Sequence, residues 1–159
     1  LLKIDLINAD NLVQFNVNKT LLNNFATIFI EQQKNILNYD TSLSLLICDN
    51  KKITELNQQY RNKNSATNIL SFPAFSQEEL LEKPHINQLY LGDLAISHEK
   101  IISEAKDQKK DKIIHFMHLL THGCLHLLGY DHIEDNQAQI MENYEIDILA
   151  KLGYPNPYI

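Results

Sequence analysis

The chain predicts an α+β fold, one sheet of four strands with helices packed on it, and three observations carry that expectation. Residues 1–7, 42–48, 67–72 and 89–97 have the length and apolar alternation of strands. Residues 19–37, 51–62, 98–108, 113–128 and 134–151 repeat apolar side chains at helical spacing. The third and fourth strands follow one another without a full helix between them, and the last three helices are consecutive. The order βαβαββααα is therefore not the strict alternation of a doubly wound sheet. Strands three and four are expected to pair antiparallel.

In order, the first strand alternates Leu2, Ile4 and Leu6, and residues 8–18 read as a polar, asparagine-rich connection. The helix 19–37 turns Leu21, Leu22, Phe25, Ile28, Phe29 and Ile36 inward. After the second strand, Asp49 and Asn50 are cap residues for a helix over 51–62 carrying Ile53, Leu56 and Tyr60 on one face. Arg61 ends that helix. It is the only arginine in the chain, beside thirteen lysines. Its planar guanidinium binds a phosphate or carboxylate at two points, as lysine cannot; the competing reading is a surface ion pair. Pro73 ends the third strand. Residues 73–88 form an exposed excursion with one helical turn at 78–81 and a solvent-facing His85. In the fourth strand, alternation places Leu91, Asp93 and Ala95 opposite Gly92, Leu94 and Ile96. Gly92 implies a bulge or a close backbone approach, and Asp93 is available to orient a histidine or a backbone group. Ser97 caps 98–108, with Ile101, Ile102 and Ala105 inward. The four lysines and two aspartates of 106–112 are a solvated helix end or a weak phosphate-attracting patch. Met141, Tyr144, Ile148 and Leu152 line the last helix, which Gly153 and Pro155 close.

Within 113–128 and just beyond it lies the run His122-Gly-Cys-Leu-His126-Leu-Leu-Gly129-Tyr-Asp-His132. His122 and His126 are one helical turn apart on one face. Gly129 is placed to end the helix in the left-handed conformation and return the chain, so that His132 reaches the same point. Three neutral imidazoles around one ion leave a coordination position open, as in catalytic zinc sites. The spacing H-x3-H-x2-G-x2-H is that of the metzincin peptidases, except that Gly123 stands where they carry the glutamate base. Cys124 points to the opposite side of the helix and is expected to pack, as are Phe116, Leu120, Leu127 and Leu128. His118 lies one turn before His122 and supports the site, contacts substrate, or is a satisfied buried histidine. His115 lies one turn earlier again.

The run HGCLHLLGYDH resembles the HGxLHLxGYDH signature of the YbeY family, metal-dependent endoribonucleases of bacterial ribosomal RNA maturation. The likeness extends over residues 56–73, similar to LNxxYRxKDxPTDVLSFP, over 91–97, similar to LGDIxIS, and to the M-x3-E pair Met141 and Glu145. Asn64, Ala66 and Asn68 depart from the pattern, the asparagines replacing usual aspartates. The resemblance implies a zincin-like mixed sheet and a histidine at the position of His118. Glu145 would then hydrogen-bond a metal-binding histidine, unless it is exposed. It implies single-strand-specific cleavage in 16S ribosomal RNA 3′-end maturation and ribosome quality control. The partners are ribosomal RNA and the small subunit, not DNA. His122, His126 and His132 would hold one Zn2+, although imidazoles also suit Ni2+, copper and iron. Arg61 and His118 are the candidate catalytic residues. The nucleophile would be a water acidified by the ion or the RNA 2′-OH, and Asp131 and His118 are candidate bases. The alternatives are a metallohydrolase of another substrate, a peptidase included, and a non-catalytic assembly factor with a structural metal.

Bulk properties agree with part of this. A chain of 159 residues, 44% apolar and 21% charged, has the size of one globular domain over 1–159. No apolar run approaches the ~18 residues of a membrane span, and no basic stretch leads into an apolar leader. Two cysteines, Cys48 and Cys124, make no disulfide framework. Together these predict a cytoplasmic protein without a membrane partner. The net charge of −6 opposes a broad nucleic-acid surface and leaves a local basic patch as the way to hold phosphate.

Overall fold

A computed structural model describes residues 1–82 and 87–159 of the chain. His85 lies outside the described residues. The strands are β1 (Leu2–Ile7), β2 (Asp40–Cys48), β3 (Ile69–Pro73) and β4 (Gln88–Ser97). The helices are α1 (Lys19–Gln32), α2 (Asn50–Arg61), the short α3 (Gln77–Leu81), α4 (His98–Asp107), α5 (Lys112–Leu127) and α6 (Asp135–Lys151). The sheet order is β1-β2-β4-β3. β1, β2 and β4 run parallel, and β3 pairs antiparallel with β4 at one edge, Leu70 opposite Ala95. This is the mixed four-stranded sheet of an α+β fold.

The main core lies between one sheet face and α1, α5 and α6. In β2 the alternation is clean: Leu43, Leu45 and Ile47 are buried there, and Phe25, Phe29, Phe116, Leu120 and Ile148 meet them from the helices. Each fully buried side chain of this size contributes about 1.5–3 kcal/mol relative to exposure. The opposite face is covered by α2, where Ile53 packs with Cys48, Leu70 and Ala95. The expected caps form: Asp49 Oδ1 accepts the Lys52 N–H at 2.8 Å and Ser97 Oγ that of Lys100 at 3.2 Å.

Three expectations are corrected. The stretch read as a polar connection contains a 3-10 helix, Ala9–Phe15, that buries Leu12 and Phe15. Two apolar residues three apart suffice for a helix with three residues per turn. The helix expected over 19–37 stops at Gln32. The N–H groups of Ile36 and Leu37 both turn back to the Gln33 carbonyl, which tucks these two side chains into the core. In β4 the alternation breaks. Tyr90 pairs with Ser42 but Asp93 with Ser44, so β4 carries an extra residue there. Leu91 thus joins Leu94 and Ile96 in the main core, and Asp93 is exposed on the other face. Gly92 makes this possible at φ +136°, because a Cβ would lie 2.2 Å from the Phe72 carbonyl oxygen. Asp93 accepts a hydrogen bond from the Tyr90 hydroxyl and, among the described residues, orients no histidine.

Candidate metal centre

α5 is anchored by Phe116, Leu120, Cys124, Leu127 and Leu128, all fully buried, and turns His118, His122 and His126 towards a cleft of about 650 Å³. The helix approaches the sheet closely because residue 123 is glycine: a Cβ there would lie 2.4 Å from Ile69 Cδ1 and 3.0 Å from Leu94 Cδ2. The space behind residue 123, where the metzincin pattern has its glutamate, is filled by the sheet. After Leu128 the chain reverses. Gly129 takes φ +88° and donates to the His126 carbonyl at 2.9 Å, and the Tyr130 N–H returns to Leu125 at 3.2 Å. α3 packs on this turn, and Gln77 donates to the Leu128 carbonyl at 3.3 Å. The reversal delivers His132.

His122, His126 and His132 each offer a ring nitrogen, and the three atoms lie within 4.8 Å of one another. The surrounding hydrogen bonds test whether an ion fits. His126 Nδ1 donates to the Tyr130 carbonyl at 2.9 Å, and His122 Nδ1 donates to Glu145 Oε1 at 3.2 Å. Each ring therefore carries its proton on Nδ1, which leaves both Nε2 lone pairs exposed to each other at 3.0 Å. Two lone pairs this close repel unless a cation lies between them, so the donor set fits a metal ion. The same hydrogen bonds fix ring orientation, the usual outer support of a histidine-bound metal.

Glu145 of α6 is the hub of this support. It is fully buried, and it accepts from His122 Nδ1, from His118 Nε2 at 3.2 Å, and from the Tyr158 hydroxyl at 2.6 Å. Burial alone would raise its carboxyl group, but the hydrogen bonds from His118, His122 and Tyr158 outweigh burial and hold it down at about 2. Glu145 thus stays a carboxylate at neutral pH. Burial, then the neighbouring His122, lowers His126 and favours its neutral ring.

His118 lines the cleft with its Nε2 committed to Glu145. His115 is buried one turn earlier and hydrogen-bonds Glu104 at 3.0 Å, away from the cleft. Asn68, in place of the pattern's aspartate, donates to the same Glu104 at 3.1 Å, a bond a carboxylate could not make. Arg61 is on the cleft rim. Its guanidinium donates to the Ser71 carbonyl at 2.9 Å and the Tyr60 carbonyl at 3.1 Å, and lies 4.9 Å from the Phe72 ring centre. Among the described residues it makes no salt bridge, so the ion-pair reading fails. Asp131 lines the cleft and accepts the His132 N–H at 2.7 Å. Cys124 is packed, and burial raises its thiol. Tyr158 escaped the sequence reading, because it belongs to no periodic element.

Fold and site together define an α+β protein with a three-histidine centre able to hold a metal ion, set in a cleft beside an arginine. Residues 7–153 match the family model described as endoribonuclease YbeY, and the chain belongs to that family. It is 48% identical over 119 residues to the endoribonuclease YbeY of Pseudomonas putida strain F1, covering 75% of this chain and 73% of the relative. It is 49% identical over 125 residues to that of Dichelobacter nodosus, covering 77% of each. The solution structure of TM1509 from Thermotoga maritima shares the fold, with a TM-score of 0.59 at 20% identity over 99% of this chain and 98% of that one. No helix among the described residues is long and apolar enough to cross a membrane.

Proposed function

We propose that the chain is a zinc-dependent, single-strand-specific endoribonuclease of the cytoplasm, acting in 3′-end maturation of 16S ribosomal RNA and in ribosome quality control. The observation that carries this is the shared cleft, with three convergent imidazoles on one side and, on the other, a guanidinium that makes no salt bridge among the described residues. The reaction class comes from the family. Nitrogen donors at this spacing suit Zn2+, and three protein ligands leave a position for a reacting group. When bound, such an ion polarises a phosphoryl oxygen and acidifies water. Arg61, held flat by two carbonyls, is set to bind a phosphate of the strand and offset charge that develops on it. Asp131 is the carboxylate of the cleft able to take a proton, and His118, whose Nε2 meets Glu145, is the second candidate base. Against the −6 net charge, Arg61 is the cation that the cleft lining itself offers to a phosphate.

A structural metal in a non-catalytic assembly factor would call for a closed shell. Among the described residues only His122, His126 and His132 converge, which favours catalysis. A peptidase of the metzincin pattern would carry its glutamate base at residue 123, which is glycine here and faces Ile69 and Leu94 of the sheet.

The test is cleavage of a ribosomal RNA fragment by purified protein, with elemental analysis of the same samples. We expect about one zinc per chain, cleavage abolished by chelator and restored by Zn2+, and loss of both metal and cleavage in His126→Ala. Cleavage that survives both chelator and His126→Ala would remove the metal-dependent reading.

A further inference from the structure

The segment that follows α6 is folded back onto the histidine centre. Gly153, at φ +88°, ends the helix, and the Tyr154 N–H returns to the Leu149 carbonyl at 2.8 Å. Pro155 and Pro157 restrict the chain on either side of Asn156. Asn156 Oδ1 accepts the Tyr158 N–H at 2.8 Å, and Lys110, from the loop before α5, donates to the Pro157 carbonyl at 3.3 Å. The path ends with the Tyr158 ring edge-on to His118, centroids 5.4 Å apart at 85°, and the hydroxyl on Glu145 at 2.6 and 2.8 Å from its two oxygens. These are the shortest contacts Glu145 makes. The ring also lines the wall between the main cleft and a smaller cavity of about 250 Å³ beside Met141.

A buried carboxylate needs donors for both oxygens, and Glu145 has three: His122 Nδ1, His118 Nε2 and the Tyr158 hydroxyl. The two histidines come from the helix across from Glu145, whereas Tyr158 approaches from the segment beyond its own helix. Without the hydroxyl, the carboxylate keeps only its longer bonds, from His118 Nε2 to Oε2 and from His122 Nδ1 to Oε1, both at 3.2 Å. With it, the rotation that meets His122 Nδ1 is fixed, and so is the proton position that turns His122 Nε2 towards His126.

We propose that Tyr158 is a positioning residue of the metal centre: through Glu145 its hydroxyl sets the ring orientation and tautomer of His122. This rests on the reading of His122, His126 and His132 as metal ligands. Removing a group of this kind lowers metal affinity by about 10–100-fold.

The experiment uses Co2+ as a visible reporter and Zn2+ in competition with a chromogenic chelator, on wild type, Tyr158→Phe, Asn156→Ala and His126→Ala. Tyr158→Phe keeps the ring against His118 and deletes only the hydroxyl. We expect its Zn2+ affinity to fall about tenfold and its Co2+ absorption band to shift, while far-ultraviolet circular dichroism stays that of wild type. Asn156→Ala, which loosens the segment without touching the site, should move the same band in the same direction, and it decides the matter if Tyr158→Phe does not fold. Wild-type affinity and an unmoved band in both variants, with metal lost in His126→Ala, would overturn the role of Tyr158 alone. Equal metal in wild type and His126→Ala would overturn the three-histidine centre and this inference with it.

Discussion

Two backbone carbonyls and an aromatic face hold the Arg61 guanidinium on the cleft rim, which makes its shape testable apart from its charge. Lysine keeps the charge but cannot span the Tyr60 and Ser71 carbonyls while offering parallel N–H groups to a phosphate. Losing a charge-assisted hydrogen bond of the transition state costs about 1.5–3 kcal/mol, or roughly one to two powers of ten in rate. Single-turnover cleavage by Arg61→Lys should fall by that factor with metal content unchanged. Arg61 is exposed, so the melting temperature should move by no more than a few degrees. Undiminished cleavage would reduce Arg61 to a generic positive charge. At this scale the convergence of His122, His126 and His132 was legible because all three lie within eleven residues, on one helix and its turn. Glu145 was legible as one of two options. Tyr158 and the Ser71 carbonyl were not, because tertiary contacts bring them to the site and leave no spacing in the sequence.

Elements place these residues, and glycines decide how closely the elements approach. Gly123 and Gly129 flank His126 and serve different ends. At Gly123 an added methyl would meet the flexible end of Ile69, which can turn into the cleft. At Gly129 it would meet Gln77 Cβ at 2.5 Å and the Gln77 backbone nitrogen at 3.1 Å, in a left-handed conformation. A non-glycine residue held there costs about 1–3 kcal/mol, so Gly129→Ala should melt roughly 2–12 °C below wild type. It should also bind metal more weakly, because the turn aims His132. Gly123→Ala should melt closer to wild type, and the reverse order of the two melting points would refute this assignment. Strand and helix types followed from periodicity, and the antiparallel β3–β4 pair from the lack of a full helix between the two strands. The 3-10 helix stayed hidden because one apolar pair is too short a period to see. The bulge at Gly92 shifted every later side chain of β4 by one face, a consequence of alternation that the glycine hinted at without locating.

For the whole molecule, an ion held by α5 and its turn, with α6 as support, would tie folding to metal. A ligand present at a hundred times its dissociation constant stabilises the folded state by about 2.7 kcal/mol. For a chain of this size that is roughly 5–10 °C in melting temperature. Calorimetry before and after chelation should show a fall of this order, reversed by Zn2+, and an unchanged transition would mean the native centre holds no ion. The sheet adds an asymmetry of timing. β1 meets β2 across some forty residues of chain and β2 meets β4 across nearly fifty, as Leu2 against Thr41 and Thr41 against Leu89. Glu145, by contrast, follows His122 by 23 residues, and Tyr130 follows His126 by four. Short loops close faster and at lower entropic cost than long ones. The histidine centre and the Arg61 rim, where Arg61 meets Ser71 ten residues on, can thus each assemble as nearly local units, while the cleft between them waits for β3 to meet α5, Ser71 against Gly123 across 52 residues. A folding chain would own a place for a cation before it owned a place for an RNA strand.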